Sequence, residues 1–266
     1  MVTFVFPNNC FNPKQPDEAY TERYLAFKQA GFNTALVEIE SLENAATKIY
    51  PPLSSGDTVV YLGWMLSKDD YLSWTRIIEQ AGAKPLSSLE EYLAAHYLPR
   101  WYRLIKNFTP ETKIYGVDND LETELRQLGW QQFFIKDYVK SLKTSVGSII
   151  DRPEQINLVL AEMKKYRGTI EGGVCVRRVE DFMTQTEQRY FVVNQKAFAA
   201  NKNKAIPDLV WQCAKVIKSN FYAVDIVERH DGVTRIVEIG DGQVSDLVGW
   251  SIAAFVEIWK QECKSV

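Results

Sequence analysis

The sequence predicts an α/β protein in which strands and helices alternate along the first part of the chain. Short apolar segments typical of buried strands occur at 2–6, 34–39 and 58–64. Around them lie segments whose apolar residues recur at three- and four-residue steps, the spacing of a helix that buries one face. Strands that alternate with helices in this way favour a layer of parallel strands.

The helical segments of this first part end or break at residues that suit those positions. One covers Asp17–Ala30 and is followed by Gly31, a residue type that commonly ends helices. Two more are predicted at 66–81 and 86–108. Pro99 falls inside the last of these. Because proline lacks an N–H group and clashes with the preceding turn, it should begin or kink a helix there.

After Lys113 the sequence predicts a mixed arrangement of strands and shorter helices. The predicted strands lie in four segments, KIYGVD, FFIKDYVKS, GGVCVRRVEDF and QRYFVVNQKAFAA. The predicted helices are 121–128, 153–166, 208–219 and 248–263. Boundaries near Thr109 and Val176 divide the chain into three consecutive domains, 1–108, 109–176 and 177–266.

The segment 221–247 predicts a β-hairpin that carries carboxylates within apolar strands. An Asp-Gly step joins its two strands, and such a step between apolar runs is a strong hairpin signal. Asp225 lies in the first strand, and Glu238 and Asp241 lie in the second. A carboxylate in an apolar strand is costly unless something neutralises it. The three acids therefore predict ligands of a hard cation such as Mg²⁺. The alternative is an exposed hairpin with solvated acids.

A second candidate feature is the strand FFIKDYVKS, which is otherwise too apolar for the unpaired charge of Lys136. Lys140 follows four residues later, so the two-residue period of a strand would place both lysines on one face if the strand runs that far. A lysine fixed on a strand can pair with phosphate oxygens as a point charge. The following loop, Ser141–Ser148, offers hydroxyl and main-chain N–H groups that could cover phosphates, although it lacks the P-loop pattern. The alternative is a surface strand with solvated lysines.

The strand VCVRR ends in two arginines, which the alternation of a strand sends to opposite faces. At most one of them should share a site with Lys136, and we assign Arg177 to it. The residues that follow are Val179, Glu180 and Asp181. Their main chain could contact the edge of a base, and either carboxylate could accept sugar hydroxyls.

Glu187 and Arg189 share a strand face in TEQRYFVV because they lie two residues apart. The planar guanidinium of an arginine suits a carboxylate or a phosphate. The alternative is a cross-strand ion pair on a sheet surface, which contributes little to stability.

The composition argues against several classes of function. A net charge of −3 and a pI near 5.6 argue against a surface for non-specific nucleic-acid binding. The four cysteines show no CxxC spacing, and with only two histidines a zinc site is not expected. The sequence contains no signal-peptide pattern and no apolar run of membrane-spanning length. We expect a soluble, cytoplasmic protein with two or three subdomains.

In their order and spacing, these segments resemble the ATP-grasp superfamily of ATP-dependent carboxylate–amine ligases. FFIKDYVKS with its loop, GGVCVRRVEDF and TEQRYFVVNQKAFAA are similar to that family's phosphate-lysine strand, phosphate-covering loop, adenine hinge and following strand pair. DIVE…RIVEIGDGQ resembles its metal hairpin. More narrowly, IKDYVKS, the arginine-bearing strand and EIGDGQVS look like the arginine-for-lysine clade, in which an arginine stands in for a nucleotide-contacting lysine. The resemblance covers about residues 113–248.

The resemblance implies an ATP-grasp fold, with an N-terminal α/β pre-grasp layer (1–108) and two α+β subdomains (109–176 and 177–266) that sandwich the nucleotide. It implies ATP and Mg²⁺ as cofactors. The residues that it assigns are Lys136, Arg177 and Arg189 for catalysis, Lys136, Lys140, Arg177, Val179, Glu180, Asp181 and Glu187 for nucleotide binding, and Asp225, Glu238 and Asp241 for the metal.

One departure from the family concerns the metal hairpin. Many ATP-grasp enzymes have Glu-x-Asn there, whereas Glu238 is followed by Ile239 and Gly240. The third ligand would then be Asp241, with Gln243 as a possible helper.

The activity that the resemblance implies is ligation of a carboxylate to an amine. A γ-phosphoryl transfer from ATP would activate the carboxylate as an acyl phosphate, which an amine then attacks. The carboxylate would belong to a small molecule, a peptide or a protein, and neither nucleic acid nor membrane is an expected partner. Two alternatives stay open: a non-catalytic nucleotide-binding module, and phosphoryl transfer to a hydroxyl group.

Overall fold

The computed structural model describes residues 1–42, 47–141 and 146–264. We number the strands in chain order as Val2–Asn9 (β1), Asn12–Pro16 (β2), Asn33–Val37 (β3), Ile49–Tyr50 (β4), Thr58–Tyr61 (β5), Lys84–Pro85 (β6), Thr112–Tyr115 (β7), Phe133–Asp137 (β8), Ile149–Ile150 (β9), Val174–Arg178 (β10), Phe182–Val193 (β11), Lys196–Ala199 (β12), Phe221–Arg229 (β13) and Thr234–Asp241 (β14). The helices are Thr21–Gln29 (α1), Lys68–Gln80 (α2), Leu89–His96 (α3), Leu98–Ile105 (α4), Leu121–Leu128 (α5), Ile156–Arg167 (α6), Asp208–Val216 (α7) and Ile252–Lys264 (α8).

The chain forms two compact units, each assembled from several segments. The first unit consists of residues 1–94, 189–223 and 240–266, and the second consists of 95–188 and 224–239. The chain therefore leaves the first unit twice and returns to it twice. The boundaries of these units differ from those of the three consecutive domains expected from the sequence. The division into three domains stays a prediction.

The first unit contains a sheet built around β1. Its strand order is β4-β3-β1-β5-β6, and β2 pairs with β1 off this path. The pairs β1–β3, β1–β5 and β5–β6 are parallel, whereas β2 and β4 pair antiparallel with their neighbours. The parallel layer predicted from the alternation of strands and helices is therefore present.

An aromatic core lies in this first unit. The ring of Phe4 in β1 lies 4.5 Å from that of Phe27 in α1 and 5.0 Å from that of Trp259 in α8. Phe191 in β11 packs against Phe255 of α8 with ring centroids 5.0 Å apart. Aromatic pairs of this kind add to the burial of large apolar areas. They attach the first and last helices of the chain to the same core.

The second unit contains an antiparallel sheet in the order β7-β10-β8-β9. One face of this sheet packs on α5 and α6. The buried residues of that core are Leu121, Leu125, Phe133, Ile135, Ile150, Ile156, Val159, Met163, Ile170, Val174 and Val176. Since alternate residues of a strand point to opposite faces, the other face of the sheet is left to form a site.

The predicted acidic hairpin corresponds to β13 and β14. The two strands belong to a third sheet in the order β12-β11-β13-β14. Gly232 in the turn has a φ of +81°, a conformation that glycine adopts without steric cost, and this is why the Asp-Gly step predicted the turn.

Several predicted elements differ in extent from the observed ones, among them a helix and the strand that carries Lys136. The helix predicted over 86–108 is divided into α3 and α4, and Pro99 lies in the first turn of α4, where its missing N–H costs nothing. The strand predicted over FFIKDYVKS ends at Asp137. In the described part of the chain, no helix is long and apolar enough to cross a membrane.

Candidate functional site

The free face of the sheet in the second unit carries the lysine and arginine singled out from the sequence. In the antiparallel register of β8 and β10, Phe134 lies opposite Arg177, and Lys136 lies opposite Cys175. Directly opposed residues share a face of the sheet, so these four side chains lie together on the face away from the α5–α6 core. The assignment of Arg177 and Lys136 to one site follows from this register.

A cavity of about 440 Å³ opens on this face within the second unit. Its apolar lining comprises Pro110, Phe134, Ile149, Val179, Phe182, Val227 and Val237. Its polar lining comprises Lys136, Ser141, Arg177, Arg178, Glu180, Asp181, Thr184, Glu187 and Glu238. A cavity of this size, with apolar walls beside several charged groups, is suited to a charged small molecule.

Lys136 and Glu238 form an ion pair in this cavity. The Nζ of Lys136 lies 3.1 Å from Oε1 of Glu238, and the two side chains are 5% and 44% exposed respectively. A lysine ammonium that is this deeply buried needs a counterion, because burial of an unpaired charge is costly. The pair explains how a charge is tolerated on an apolar strand. The alternative of a surface strand with solvated lysines does not hold for Lys136.

Arg177 is buried on the cavity wall and only partly satisfied by the protein. Its Nη1 donates to the carbonyl oxygen of Val237 and its Nη2 to Oγ1 of Thr109, each at 2.5 Å. Its Nε is buried and has no hydrogen-bond partner among the described residues. Burial lowers the pKa of Arg177 to about 10, so the guanidinium stays charged at neutral pH. A buried, charged donor without an acceptor is suited to an anionic ligand.

Lys140 lies beyond the end of the strand that carries Lys136, so the condition for a shared face is not met, and its role in nucleotide binding stays a prediction. Asp137 is fully buried, and its carboxylate accepts the main-chain N–H groups of Val139 and Lys140 at 2.8 and 2.6 Å, and that of Glu171 at 3.3 Å. An aspartate that binds N–H groups two and three residues onward turns the chain. The strand ends there, and Lys140 is exposed.

The loop predicted to cover phosphates lies only partly in the described chain. Residues 142–145 are outside the described residues. Ser141 borders the cavity, and the carbonyl oxygen of Ser148 accepts the N–H of Ile135 at 2.7 Å. The assignment of this loop to phosphates stays a prediction.

The segment Val179–Asp181 borders the cavity as predicted for a base-binding hinge, but Glu180 is already engaged. Its carboxylate is held by Arg235, with 2.9 Å from Nε to Oε2 and 2.8 Å from Nη2 to Oε1. The assignment of Glu180 to sugar hydroxyls stays a prediction. The side chain of Asp181 is exposed.

Glu187 and Arg189 belong to different units of the chain. Glu187 borders the cavity of the second unit. In the first unit, Nη1 of Arg189 donates to the carbonyl oxygen of Asp246 at 2.6 Å, and its own carbonyl oxygen accepts Nε1–H of Trp250 at 2.9 Å. The catalytic role expected for Arg189 stays a prediction.

The three acids of the predicted metal site are also divided between the units. Asp225, which is 4% exposed, and Glu238 belong to the second unit, and Asp241 belongs to the first. Among the described residues, no group of three or more His, Cys, Asp or Glu side chains is close enough together to hold a metal ion. The metal assignment of these acids stays a prediction.

Asp241 lies in a buried polar network of the first unit. Its Oδ1 accepts the main-chain N–H of Gln243 at 3.0 Å and the Nε2–H of the same residue at 3.1 Å. Gln243 also donates to the Tyr71 hydroxyl at 2.9 Å, so its amide is held by protein groups. Oδ2 of Asp241 is buried without a hydrogen-bond partner among the described residues. Burial raises the pKa of Asp241 to about 8.

Replacing Asp241 with asparagine should remove a pH dependence of stability in the metal-free protein. The pKa of Asp241 is about 8 in the folded protein, against 3.8 for an ordinary aspartate. Between these values the folded protein holds a proton that the unfolded chain releases, so the free energy of unfolding should fall as pH rises through this window. Asparagine is neutral throughout. Thermal denaturation with a chelator, from about pH 5 to about pH 8, should therefore give a flatter profile for Asp241→Asn than for the unmodified protein. Identical profiles would contradict the buried proton.

Comparison with solved structures shows the same fold in several ligases. The D-cycloserine synthetase DcsG superposes with a TM-score of 0.64 at 11% identity, covering 98% of this chain and 99% of that one. The macrocyclase MdnC from Microcystis aeruginosa MRC, bound with its precursor peptide MdnA, gives 0.63 at 13% identity, covering 98% and 100%. The ATP-grasp ligase PsnB, complexed with a precursor variant, Mg and ADP, gives 0.61 at 12% identity, covering 98% and 96%. At identities this low, the superpositions establish the fold alone. The predicted fold class is confirmed.

Family membership rests on the sequence itself. No curated protein matches the chain in sequence. A family model does match, and it covers residues 127–259, which include β8 to β14 with the cavity-lining lysine and arginine. This is half of the chain, and the family is the one that the motifs resembled. The chain belongs to the ATP-grasp domain family, as a member of family 3 of the arginine-for-lysine clade.

Proposed function

We propose that this protein is an ATP-dependent ligase that joins a carboxylate to an amine, with release of ADP and phosphate. The observation that carries the proposal is the cavity of the second unit, where apolar walls adjoin the buried Lys136–Glu238 pair and the unpartnered Nε of Arg177. Membership of the ATP-grasp family supports it, as do the structural neighbours, which are ligases captured with peptides or with Mg and ADP.

The base of ATP is assigned to the apolar part of the cavity. Phe134 and Ile149 project from the sheet, while Val179 and Phe182 flank the segment that joins β10 to β11. Flat aromatic and aliphatic walls favour burial of a purine ring. In the described chain, Val179 has no main-chain hydrogen bond, so its N–H and C=O are suited to the edge of the base.

The phosphates are assigned to the charged part of the cavity. Lys136 and Arg177 bring two positive charges to one face of the sheet. During phosphoryl transfer, negative charge spreads over the oxygens of the moving group, and fixed cations that contact those oxygens stabilise it. Binding of phosphates would give Arg177 Nε its missing acceptor. It would also compete with Glu238 for Lys136.

Mg²⁺ is assigned to the hairpin acids of the second unit, Asp225 and Glu238. The carboxylate of Glu238 is half-exposed on the cavity wall, which suits a hard cation. The third expected ligand, Asp241, belongs to the first unit, and its role stays a prediction. The ion would neutralise phosphate charge during transfer.

The chemistry requires two balanced steps. An oxygen of the substrate carboxylate attacks the γ-phosphorus of ATP, the bond to the bridging oxygen breaks, and ADP leaves with that electron pair. The amine nitrogen then attacks the acyl carbon, phosphate leaves, and the nitrogen loses a proton. Positioning and electrostatic stabilisation are enough for these steps, so no nucleophilic side chain is needed. The carboxylate belongs to a small molecule, a peptide or a protein in this proposal.

Product analysis tests the function directly. The protein would be mixed with ATP, Mg²⁺ and a panel of carboxylates, with and without amines, and ADP and phosphate would be measured. A ligase should form ADP and phosphate only when both a carboxylate and an amine are present. When hydroxylamine is the amine, the product should be a hydroxamate. ADP formation without free phosphate would favour phosphoryl transfer to a hydroxyl. Nucleotide binding without turnover on any of the panel would favour the non-catalytic module.

A further inference from the structure

Arg235 is the centre of a four-bond contact at the edge of the nucleotide cavity. Its guanidinium binds both carboxylate oxygens of Glu180, at 2.9 and 2.8 Å. The same side chain donates to the main-chain carbonyl oxygens of Asn107 at 2.9 Å and Thr109 at 2.8 Å. The side chains of Arg235 and Glu180 are only 16% and 13% exposed. A bidentate arginine–carboxylate pair with this little exposure fixes the orientation of both partners.

The segment that this contact holds is the one assigned to the base of the nucleotide. Glu180 lies between the end of β10 at Arg178 and the start of β11 at Phe182, so neither sheet pairing fixes its main chain. A second tether lies one residue further on, where the carbonyl oxygen of Asp181 accepts the N–H of His230 at 3.2 Å. The connection therefore depends on contacts with β14 and its turn for its position.

Two further contacts join residues near the hinge, Val179–Asp181, to the stretch that follows α4. The N–H of Ile236, next to Arg235, donates to the carbonyl oxygen of Phe108 at 2.8 Å. On the other side, Arg177 donates to the hydroxyl of Thr109. Two arginines thus bind the same short stretch after α4. Arg235 joins this stretch to the hinge, and Arg177 joins it to the sheet that carries the phosphate-binding lysine.

We propose that Arg235, acting through Glu180, is a positioning residue that fixes the main chain of Val179–Asp181 for recognition of the base of the nucleotide. Arg235 itself need not touch the ligand. A hinge held in its binding conformation loses less conformational entropy when the base docks, which favours binding and keeps its N–H and C=O groups aligned for one base edge. The assignment rests on the nucleotide site proposed above. It deepens that proposal by separating recognition of the base from recognition of the phosphates.

The test compares ligands that share phosphates and differ in the base. Affinities for ADP, GDP and inorganic tripolyphosphate would be measured by calorimetry with Mg²⁺ present. In Arg235→Met, which keeps the length and apolar stem, we expect ADP affinity to fall about tenfold and the preference for ADP over GDP to shrink. Affinity for tripolyphosphate should be unchanged, because Lys136 and Arg177 are intact. Arg235→Lys keeps the charge but not the planar fork, so it should resemble the methionine variant.

Two further variants separate positioning from general damage. Glu180→Gln removes the charged pair but leaves the contacts of Arg235 with the two carbonyl groups, so it keeps the test available if Arg235→Met does not fold. The double variant should lose less ADP affinity than the sum of the two single losses, since both single changes disrupt the Arg235–Glu180 pair. Arg152→Met is a matched control in the same unit, because that arginine is exposed and only approaches Asp151 at 3.8 Å.

Each outcome decides between defined alternatives. Unchanged ADP affinity and base preference in Arg235→Met and Glu180→Gln would overturn the positioning role. So would an equal loss of ADP and tripolyphosphate affinity, because that would indicate a general structural defect. If the unmodified protein binds none of the three ligands, the proposed nucleotide site fails and the positioning role fails with it. If the unmodified protein binds ADP, the nucleotide site stands, and the variants then test the positioning role of Arg235 alone.

Discussion

Replacing Lys136 with methionine should lower the rate of ADP formation about a hundredfold or more at saturating ATP. The side chain is fixed on β8, nearly excluded from water, and faces the same cavity as Arg177. A cation in such a place needs no reorganisation when charge develops on the phosphoryl group, so its loss raises the barrier. Methionine keeps the apolar stem in place and leaves Glu238 half-exposed, where water can solvate it. The fold should therefore survive.

Lys113→Met is the matched control for this variant. Lys113 lies on β7 of the same sheet and pairs with Glu111 at 3.1 Å, but its side chain is 44% exposed. Loss of such a surface ion pair changes stability little. Normal turnover in Lys136→Met, with thermal stability reduced far more than in Lys113→Met, would mean that Lys136 has a structural role only.

The elements of the fold that could be predicted are those set by local sequence. The turn of the acidic hairpin depends on one Asp-Gly step, and α5 was predicted with its observed bounds because its apolar spacing and the glycine after it are local signals. The end of β8 was missed. Asp137 looked like one more residue of an apolar strand, although the N–H groups of Val139 and Lys140 that its carboxylate binds are close in sequence.

The residues of the candidate site that could be predicted are also those with a local sequence signal. Lys136 and Arg177 stand out because each is a charge within an apolar strand, and burial of a charge requires a partner or a function. Arg235 gave no such signal, since it lies next to the hairpin turn, where a charge can be solvated, and its partners are 55 or more residues away. The arginine that engages Glu180 could likewise be found only in the folded chain, because Arg235 lies 55 residues away.

The two compact units could not be read from the order of the elements. Composition and element type change near residue 109, which suggested a boundary there. The chain contributes β13 to both units, since the boundary between the units falls after Ala223. A strand that continues from one unit into the next leaves no break in its apolar pattern. Sequence periodicity therefore gives no signal of the boundary between the units at this position.

Replacing Glu238 with glutamine should raise the concentration of Mg²⁺ needed for half-maximal ADP formation and lower the maximal rate. Glutamine keeps the shape of the side chain but removes the negative charge, which a hard cation requires from its ligands. We expect a shift of the Mg²⁺ midpoint of about tenfold or more. The same change leaves the ammonium of Lys136 buried without its counterion, so a moderate loss of thermal stability should accompany it.

Because Glu238 has two possible roles, the Mg²⁺ titration must be compared across variants. If Glu238 serves only as the counterion of Lys136, Glu238→Gln will reduce stability but leave the Mg²⁺ midpoint unchanged. If it is a metal ligand, the midpoint will move in Glu238→Gln and stay in place in Lys136→Met, whose lower rate has a different cause. Glu111→Gln is the matched control, since its carboxylate is also about half-exposed and paired with a lysine at 3.1 Å. An unchanged midpoint and rate in Glu238→Gln would remove this residue from the metal site, and the proposed function would then rest on Lys136 and Arg177.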